Sequence, residues 1–223
     1  MTPSVPTRPV AWTPVVRLVD AGWPPMVEIE AARSSAELDA AMALIGATDP
    51  ARAETARIRA ALPDEDRRVV GPAAGDAVSP YLFASTGRFS EPGAGAFYAA
   101  RTLDTALAES LHHRARTFAR SGAGVSHARL RHLAATVSIE ASDVRGRHAV
   151  LPALYDPTDG GTPATRAFAA ELRRDGSRGI VYDSLRDREG ECIAVFAARD
   201  ITLPVRTAGI IERTWHPSTG WLP

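Results

Sequence analysis

The apolar positions of the chain fall into short blocks whose spacing separates strands from helices. Val15-Val16-Arg17-Leu18-Val19 is an apolar run with an arginine at its centre, and it predicts a strand that Ala21-Gly22-Trp23-Pro24-Pro25 ends. Leu38, Met42 and Leu44-Ile45 recur at helical spacing behind Ser34-Ser35-Ala36-Glu37. That tetrapeptide has the Ser-x-x-Glu form of a capping box if Ser34 is the cap. A second helix is expected from Ala51 to Leu62, stopped by Pro63, and the polar, glycine- and proline-rich stretch 63–80 reads as a loop. Tyr81-Leu82-Phe83 is a small strand or a helical turn. Ala96 to Ala100 is a short apolar run, read as a buried strand. Thr102 then caps a helix with Asp104 in its first turn, where the helix dipole favours negative charge. On that helix Leu103, Leu107, Leu111 and Phe118 share a face, and Glu109 lies nearly opposite it.

The second half of the chain switches to period two. Leu133, Ala135, Val137 and Ile139 alternate within His132–Glu140, the mark of a half-buried strand. Residues 143–161 are loop-like. Pro163 to Arg174 reads as a helix with Thr162 as cap, Pro163 at its first position and Gly176 just past its end. Gly179–Leu185 and Glu191–Ala198 form a hairpin around Arg186–Gly190, and Ile201–Arg206 and Gly209–Trp215 add edge strands. Four prolines in residues 1–14 predict an extended arm rather than a packed element, which leaves 15–223 as one domain. Helices early and strands late imply an α+β fold with a mixed or antiparallel sheet and flanking helices.

Composition narrows the chemistry. Positive and negative side chains balance at 26 each, so the chain lacks the excess positive charge that nucleic-acid binding relies on. Every cation is arginine. There is no lysine for a Schiff base or a phosphate loop, and no asparagine or glutamine for an oxyanion hole. The single cysteine, Cys192, excludes an intrachain disulfide and a multi-cysteine zinc site, and suits a reducing cytoplasm. Neither a signal peptide nor a membrane-length apolar run is present, so a cytoplasmic location and no membrane contact are expected. The histidines show no His-Glu-x-x-His or similar spacing, and no metal is expected.

What remains is a guanidinium, an aromatic ring and a carboxylate on three consecutive elements, Arg88, Tyr98 and Glu109. Arg88 stands on a glycine-rich turn, where it is a surface arginine or a bidentate grip on a phosphate. Tyr98 is a core tyrosine or a ring that stacks on a ligand. Glu109 is a solvated glutamate, paired with His113 one turn on, or a carboxylate that stabilises a developing cation. Ser184 alternates with Tyr182 and Ile180 on a strand and could bond a phosphate or a ribose. It lacks the Gly-x-Ser-x-Gly setting of a hydrolase nucleophile.

In their order, the segments VVRLVDAGWPP, GRFSEPGAGAFYAA, TALAESLHH and RGIVYDSLRDREGECIAVF resemble the RES-domain family, the toxins of RES–Xre toxin–antitoxin systems. The resemblance runs from about residue 15 to about residue 200. It implies a fold related to ADP-ribosyltransferase toxins, with NAD as substrate. By the resemblance, Arg17 and Arg88 match the family's two site arginines, Tyr98 its tyrosine, Glu109 its glutamate and Ser184 its serine. Phe89-Ser90 departs from the Trp-Asn common after the second arginine, and Leu18 stands where some relatives carry an aromatic residue. The family relation further implies an Xre-type antitoxin that occludes the site. It implies cleavage of the nicotinamide–ribose bond with ADP-ribose passed to a protein acceptor such as phosphoribosyl pyrophosphate synthetase. NAD phosphorolysis or hydrolysis, and a non-enzymatic interaction module, are the alternatives. A homodimer and a toxin–antitoxin hetero-oligomer both stay open.

Overall fold

The computed structural model describes residues 5–23, 26–156 and 161–222. Strand β1 (Thr7–Asp20) is followed by helices α1 (Val27–Ala31), α2 (Ser35–Gly46), α3 (Pro50–Ala60), α4 (Asp64–Arg67) and α5 (Gly75–Leu82). Then come β2 (Phe97–Ala100), α6 (Leu103–Arg120), β3 (Ser126–Asp143), α7 (Pro163–Arg174), β4 (Gly179–Asp183), β5 (Glu191–Val195), β6 (Ile201–His216) and β7 (Gly220–Trp221). The strands form one mixed sheet in the order β1-β2-β5-β4-β3-β6-β7, and a further β1–β3 pairing closes the first five into a ring. The α+β expectation therefore holds.

Two apolar layers flank the strands. Val15, Phe97, Leu133, Val137 and Ile193 pack with Ile29, Leu38, Val78 and Leu82 of the early helices. On the other side Val16, Ala100, Ile180, Tyr182 and Cys192 pack with Ala106 of α6 and Phe168 of α7. The switch between Val15 and Val16 is the period-two alternation of a strand buried on both faces.

Local capping chemistry sets several boundaries as expected. Ser34 caps α2 by accepting the Glu37 amide at 3.1 Å, although Glu37 itself reaches back to the Arg33 amide. Thr162 and Thr165 cap α7 reciprocally, and Gly176 follows in a left-handed conformation, φ 83°.

Three expectations are corrected. Residues 7–14 are not an unpacked arm: Thr7 through Trp12 pair in register with Ser142 through Val137, and Val10 and Trp12 are buried. Pro14 is accommodated because it falls in the bulge between Trp12 and Val15, where the ladder is interrupted. Residues 1–4 of that stretch, Pro24-Pro25 and the last part of the 143–161 loop before Gly161 lie outside the described residues. The 63–80 loop instead contains α4 and most of α5. Ala74, Ala77, Val78 and Tyr81 recur at helical spacing and are buried, and the Gly and Pro residues around them mask the pattern. The two C-terminal edge strands are one strand, β6, which pairs with β3 and β7.

At the end of the ring, Arg145 binds Asp143 at 2.7 Å and also pairs with Glu191, which in turn pairs with Arg101. Burial alone would raise the Asp143 carboxyl, but hydrogen bonds from Arg145 outweigh it and hold it below its ordinary value. Burial would likewise raise Glu191, and Arg101 and Arg145 hold it down. Carboxyls depressed on folding stabilise the fold above their unfolded pKa, about 4, and lose that contribution as pH falls through the folded values. The melting temperature should therefore fall on acidification below about pH 4, with a shallower slope in Arg145→Met. The difference between the two slopes isolates these groups from Asp66, whose carboxyl is pushed up by burial and whose contribution has the opposite sign. Equal slopes in the two proteins would refute the assignment.

Candidate active site

The cleft lies on the α6 side of the sheet, at the seam where β1 meets β2. These strands share one pair, Val16↔Ala100. Next to it Arg17 donates Nη1–H to the Tyr98 carbonyl at 2.9 Å, with its guanidinium 5.1 Å from the Phe97 ring centroid. Burial lowers the Arg17 pKa, opposed by Tyr81, Asp76 and Tyr98. Arginine nonetheless stays charged at neutral pH, so this is a poorly hydrated, fixed cation.

Arg88 is carried on a turn closed by the Gly87 amide on the Ser90 carbonyl, 2.9 Å. The Tyr98 hydroxyl holds that turn from β2. It accepts the Phe89 amide at 2.8 Å and donates to Ser90 Oγ at 3.2 Å. Burial raises the Tyr98 pKa, so the phenol stays protonated and able to donate. Gly87 has no room for a side chain here, since a Cβ would lie 2.6 Å from Ser90 Oγ. The Arg88 guanidinium lies 5.3 Å from the Tyr182 ring centroid. On the far side Gly161, φ 69°, packs so closely that a Cβ would sit 2.5 Å from the Arg88 Cα.

A second cation fixes this turn from beneath. Arg173 of α7 donates to the carbonyls of Gly95 at 2.8 Å, Phe89 at 3.1 Å and Ala94 at 3.3 Å, and stacks 3.7 Å from the Phe196 ring centroid. One arginine thus gathers the acceptors of the segment that presents another.

Glu109 sits one helical turn beyond Ala106, which with Thr105 is the most buried part of α6. The leucine stripe expected to anchor α6 is half-buried, with Phe118 packed on Trp215 and Trp221. The helix therefore docks through small residues, and that face carries Glu109 toward the cleft. Glu109 Oε1 accepts from Ser184 Oγ at 2.5 Å and from the Leu185 amide at 3.1 Å. Ser184 Oγ also accepts the Arg186 and Asp187 amides, each at 3.0 Å. One donated and two accepted bonds saturate a hydroxyl. In this structure Ser184 supports Glu109 and has no bond left for a phosphate.

Arg17, Arg88, Tyr98 and Glu109 all line one cleft of about 340 Å³, within the range of small-molecule sites. Ser184 stands behind its wall. Tyr182, Arg186, Cys192 and His113 complete the lining. Of these, Arg186 had a readable signal, a basic residue at a strand end, whereas Cys192 is inferred only from its pairing opposite Tyr182. Burial, then Glu109, pushes the Cys192 thiol well above its ordinary value, so it is not a nucleophile at neutral pH. The result is a concave site lined by Arg17, Arg88 and Arg186, with the Arg17 guanidinium turned onto Phe97 beneath the β1–β2 seam, and by one carboxylate held through a single oxygen. It can grip a multiply charged anion and place negative charge beside a centre that becomes positive.

Among the described residues no helix is long and apolar enough to cross a membrane, and no group of His, Cys, Asp and Glu side chains is placed to hold a metal ion. No curated protein sequence matches the chain. Among solved structures, the M. tuberculosis MbcT–MbcA toxin–antitoxin complex contains a similar chain. The TM-score is 0.47 at 10% identity, covering 95% of this chain and 88% of that one. The family model for the RES domain matches residues 65–216, which include Arg88, Tyr98, Glu109 and Ser184 and begin after Arg17. With more than half of its length matched, this protein belongs to the RES domain family.

Proposed function

We propose that the protein is a toxin that cleaves the nicotinamide–ribose bond of NAD and transfers ADP-ribose to a protein acceptor. An antitoxin of the Xre type would cover the cleft until the toxin is released. The observation that carries the reading is Glu109, a carboxylate pinned by Ser184 and the Leu185 amide in a cleft that also holds Arg17 and Arg88. A dinucleotide offers a pyrophosphate to the guanidinium groups, and arginine matches phosphate oxygens two at a time. When the C1′–N1 bond breaks, its electron pair stays on nicotinamide, which leaves neutral, and positive charge develops on the ribose. Glu109 stabilises that charge, the logic also used in glycoside hydrolysis. The nucleophile's lone pair then closes on C1′ and its proton passes to solvent. Tyr98 keeps Arg88 in place, and its ring forms part of the wall against which the nicotinamide ribose is oriented.

The test is nicotinamide release from NAD by the pure protein, followed by labelled NAD in a cell lysate. Release with label on a protein is the expected outcome. Release that requires phosphate would reassign the reaction as phosphorolysis, and release to water alone as hydrolysis. No release under any of these conditions would overturn the reading in favour of a non-enzymatic interaction module.

A further inference from the structure

Helix α6 touches the turn between β4 and β5 at two points, one helical turn apart. One is the Glu109 contact with Ser184 and Leu185. The other is Thr105, four residues earlier on the same face, whose hydroxyl donates to Asp187 Oδ2 at 2.6 Å. Thr105 is 1% exposed, and its Oγ1 is also 2.8 Å from the Thr102 hydroxyl. Since Thr105 gives its one hydrogen to Asp187, Thr102 must donate to Thr105, and the order Thr102→Thr105→Asp187 is fixed. The turn is shaped to this contact. Gly190 donates its amide to the Asp187 carbonyl at 3.0 Å, and a Cβ at Gly190 would lie 2.6–2.7 Å from Thr105 and the Asp187 carboxylate.

We infer that Thr105 and Asp187 are positioning residues that set the roll of α6 and so aim Glu109 at the reacting ribose; this rests on the NAD-cleaving reading above. Beyond Glu109 the helix is tethered by the Trp221 indole bond to the Leu111 carbonyl at 2.9 Å, the Arg114–Asp20 ion pair at 2.8 Å and Phe118 against Trp215 and Trp221. Before it, where Leu103 and Leu107 are only half-buried, Thr105 and Asp187 hold the helix to the turn. Side-chain tips lie about 5–6 Å from a helix axis, so a roll of about 20° displaces them by about 2 Å. Misplacement of a catalytic group by about 1 Å can lower a rate by about 10²-fold.

Thr105→Val keeps the shape and removes the hydroxyl. It should lower kcat for nicotinamide release by about 10–100-fold while KM changes by less than about threefold, since the arginines are untouched. Thr105→Ser should restore kcat to within about threefold, a rescue that a packing role for the methyl group would not produce. Asp187→Ala, on the turn, should match Thr105→Val, and the double variant should be no worse than either, because both break one contact. If Thr105→Val does not fold, Asp187→Ala and Asp187→Asn carry the test, the second retaining an acceptor and near-parental kcat. Parental turnover in both Thr105→Val and Asp187→Ala, failed rescue by serine, or additive losses would overturn the inference while leaving the NAD reading standing. A parent protein that releases no nicotinamide would overturn both.

Discussion

Glu109→Gln is expected to lower nicotinamide release by on the order of 10²–10³-fold while shifting the melting temperature by no more than about 3 °C. The two contacts that seat this side chain, from Ser184 Oγ and the Leu185 amide, both use Oε1. A glutamine carbonyl oxygen can accept both, so the turn and the helix keep their contact. What disappears is the negative charge. Oxocarbenium-like charge on the ribose then loses its counter-ion at the step where that counter-ion contributes most. KM should change little, since Arg17 and Arg88 remain. Turnover by the folded variant at the parental rate would remove Glu109 from the mechanism, whatever else the protein does with NAD.

Arg173→Met is expected to destabilise the fold by about 3 kcal/mol and to lower the melting temperature by roughly 6–12 °C. The guanidinium bonds to the Gly95 and Phe89 carbonyls are the shortest of its set. Each buried acceptor stranded without a donor costs about 1–3 kcal/mol. Methionine fills much of the volume and still packs on Phe196, so the loss reports on the hydrogen bonds rather than on a cavity. Because Phe89 follows Arg88 directly, a looser segment should also raise KM for NAD. Arg173→Lys keeps a charge and donors for the carbonyls that Nη2 serves, but loses the planar stack on Phe196 and the Nη1 bond to the Phe196 carbonyl, and should fall between methionine and the parent. An unchanged melting temperature in Arg173→Met would show that these carbonyls find water instead.

These two residues mark what the sequence made legible and what it did not. Glu109 could be picked out because it stands off an apolar stripe within an unmistakable helix. The reason it faces the cleft was different, however: α6 docks through Thr105 and Ala106, and the leucines are half-buried. The α7 cap and the β4–β5 hairpin were readable because threonine-proline and arginine-rich turn chemistry act over a few residues. Arg173 carried no signal, since three of its acceptors lie 78 to 84 positions away and the fourth 23 away, and all are backbone atoms, which no side-chain pattern announces. Ser184 could be chosen as a site residue, yet its bonds to Glu109 and two turn amides emerge only when the hairpin meets the helix. Helix α5 was hidden by Gly75 and Pro80, which read as breakers. Its Ala77, Val78, Tyr81 and Leu82 are instead buried against the sheet.

The ring of strands also orders events in time. β1 emerges first from the ribosome, but it joins β2 through a single pair and takes its long ladder from β3, over a hundred residues later. Until then Val10, Trp12, Val15 and Val16 have no sheet to cover them. A partner so distant in sequence slows folding, and an unpaired apolar strand invites association between chains. For this protein the vulnerable interval is synthesis itself, before β3 arrives to pair with β1 and, later still, β4 and β5 complete the ring.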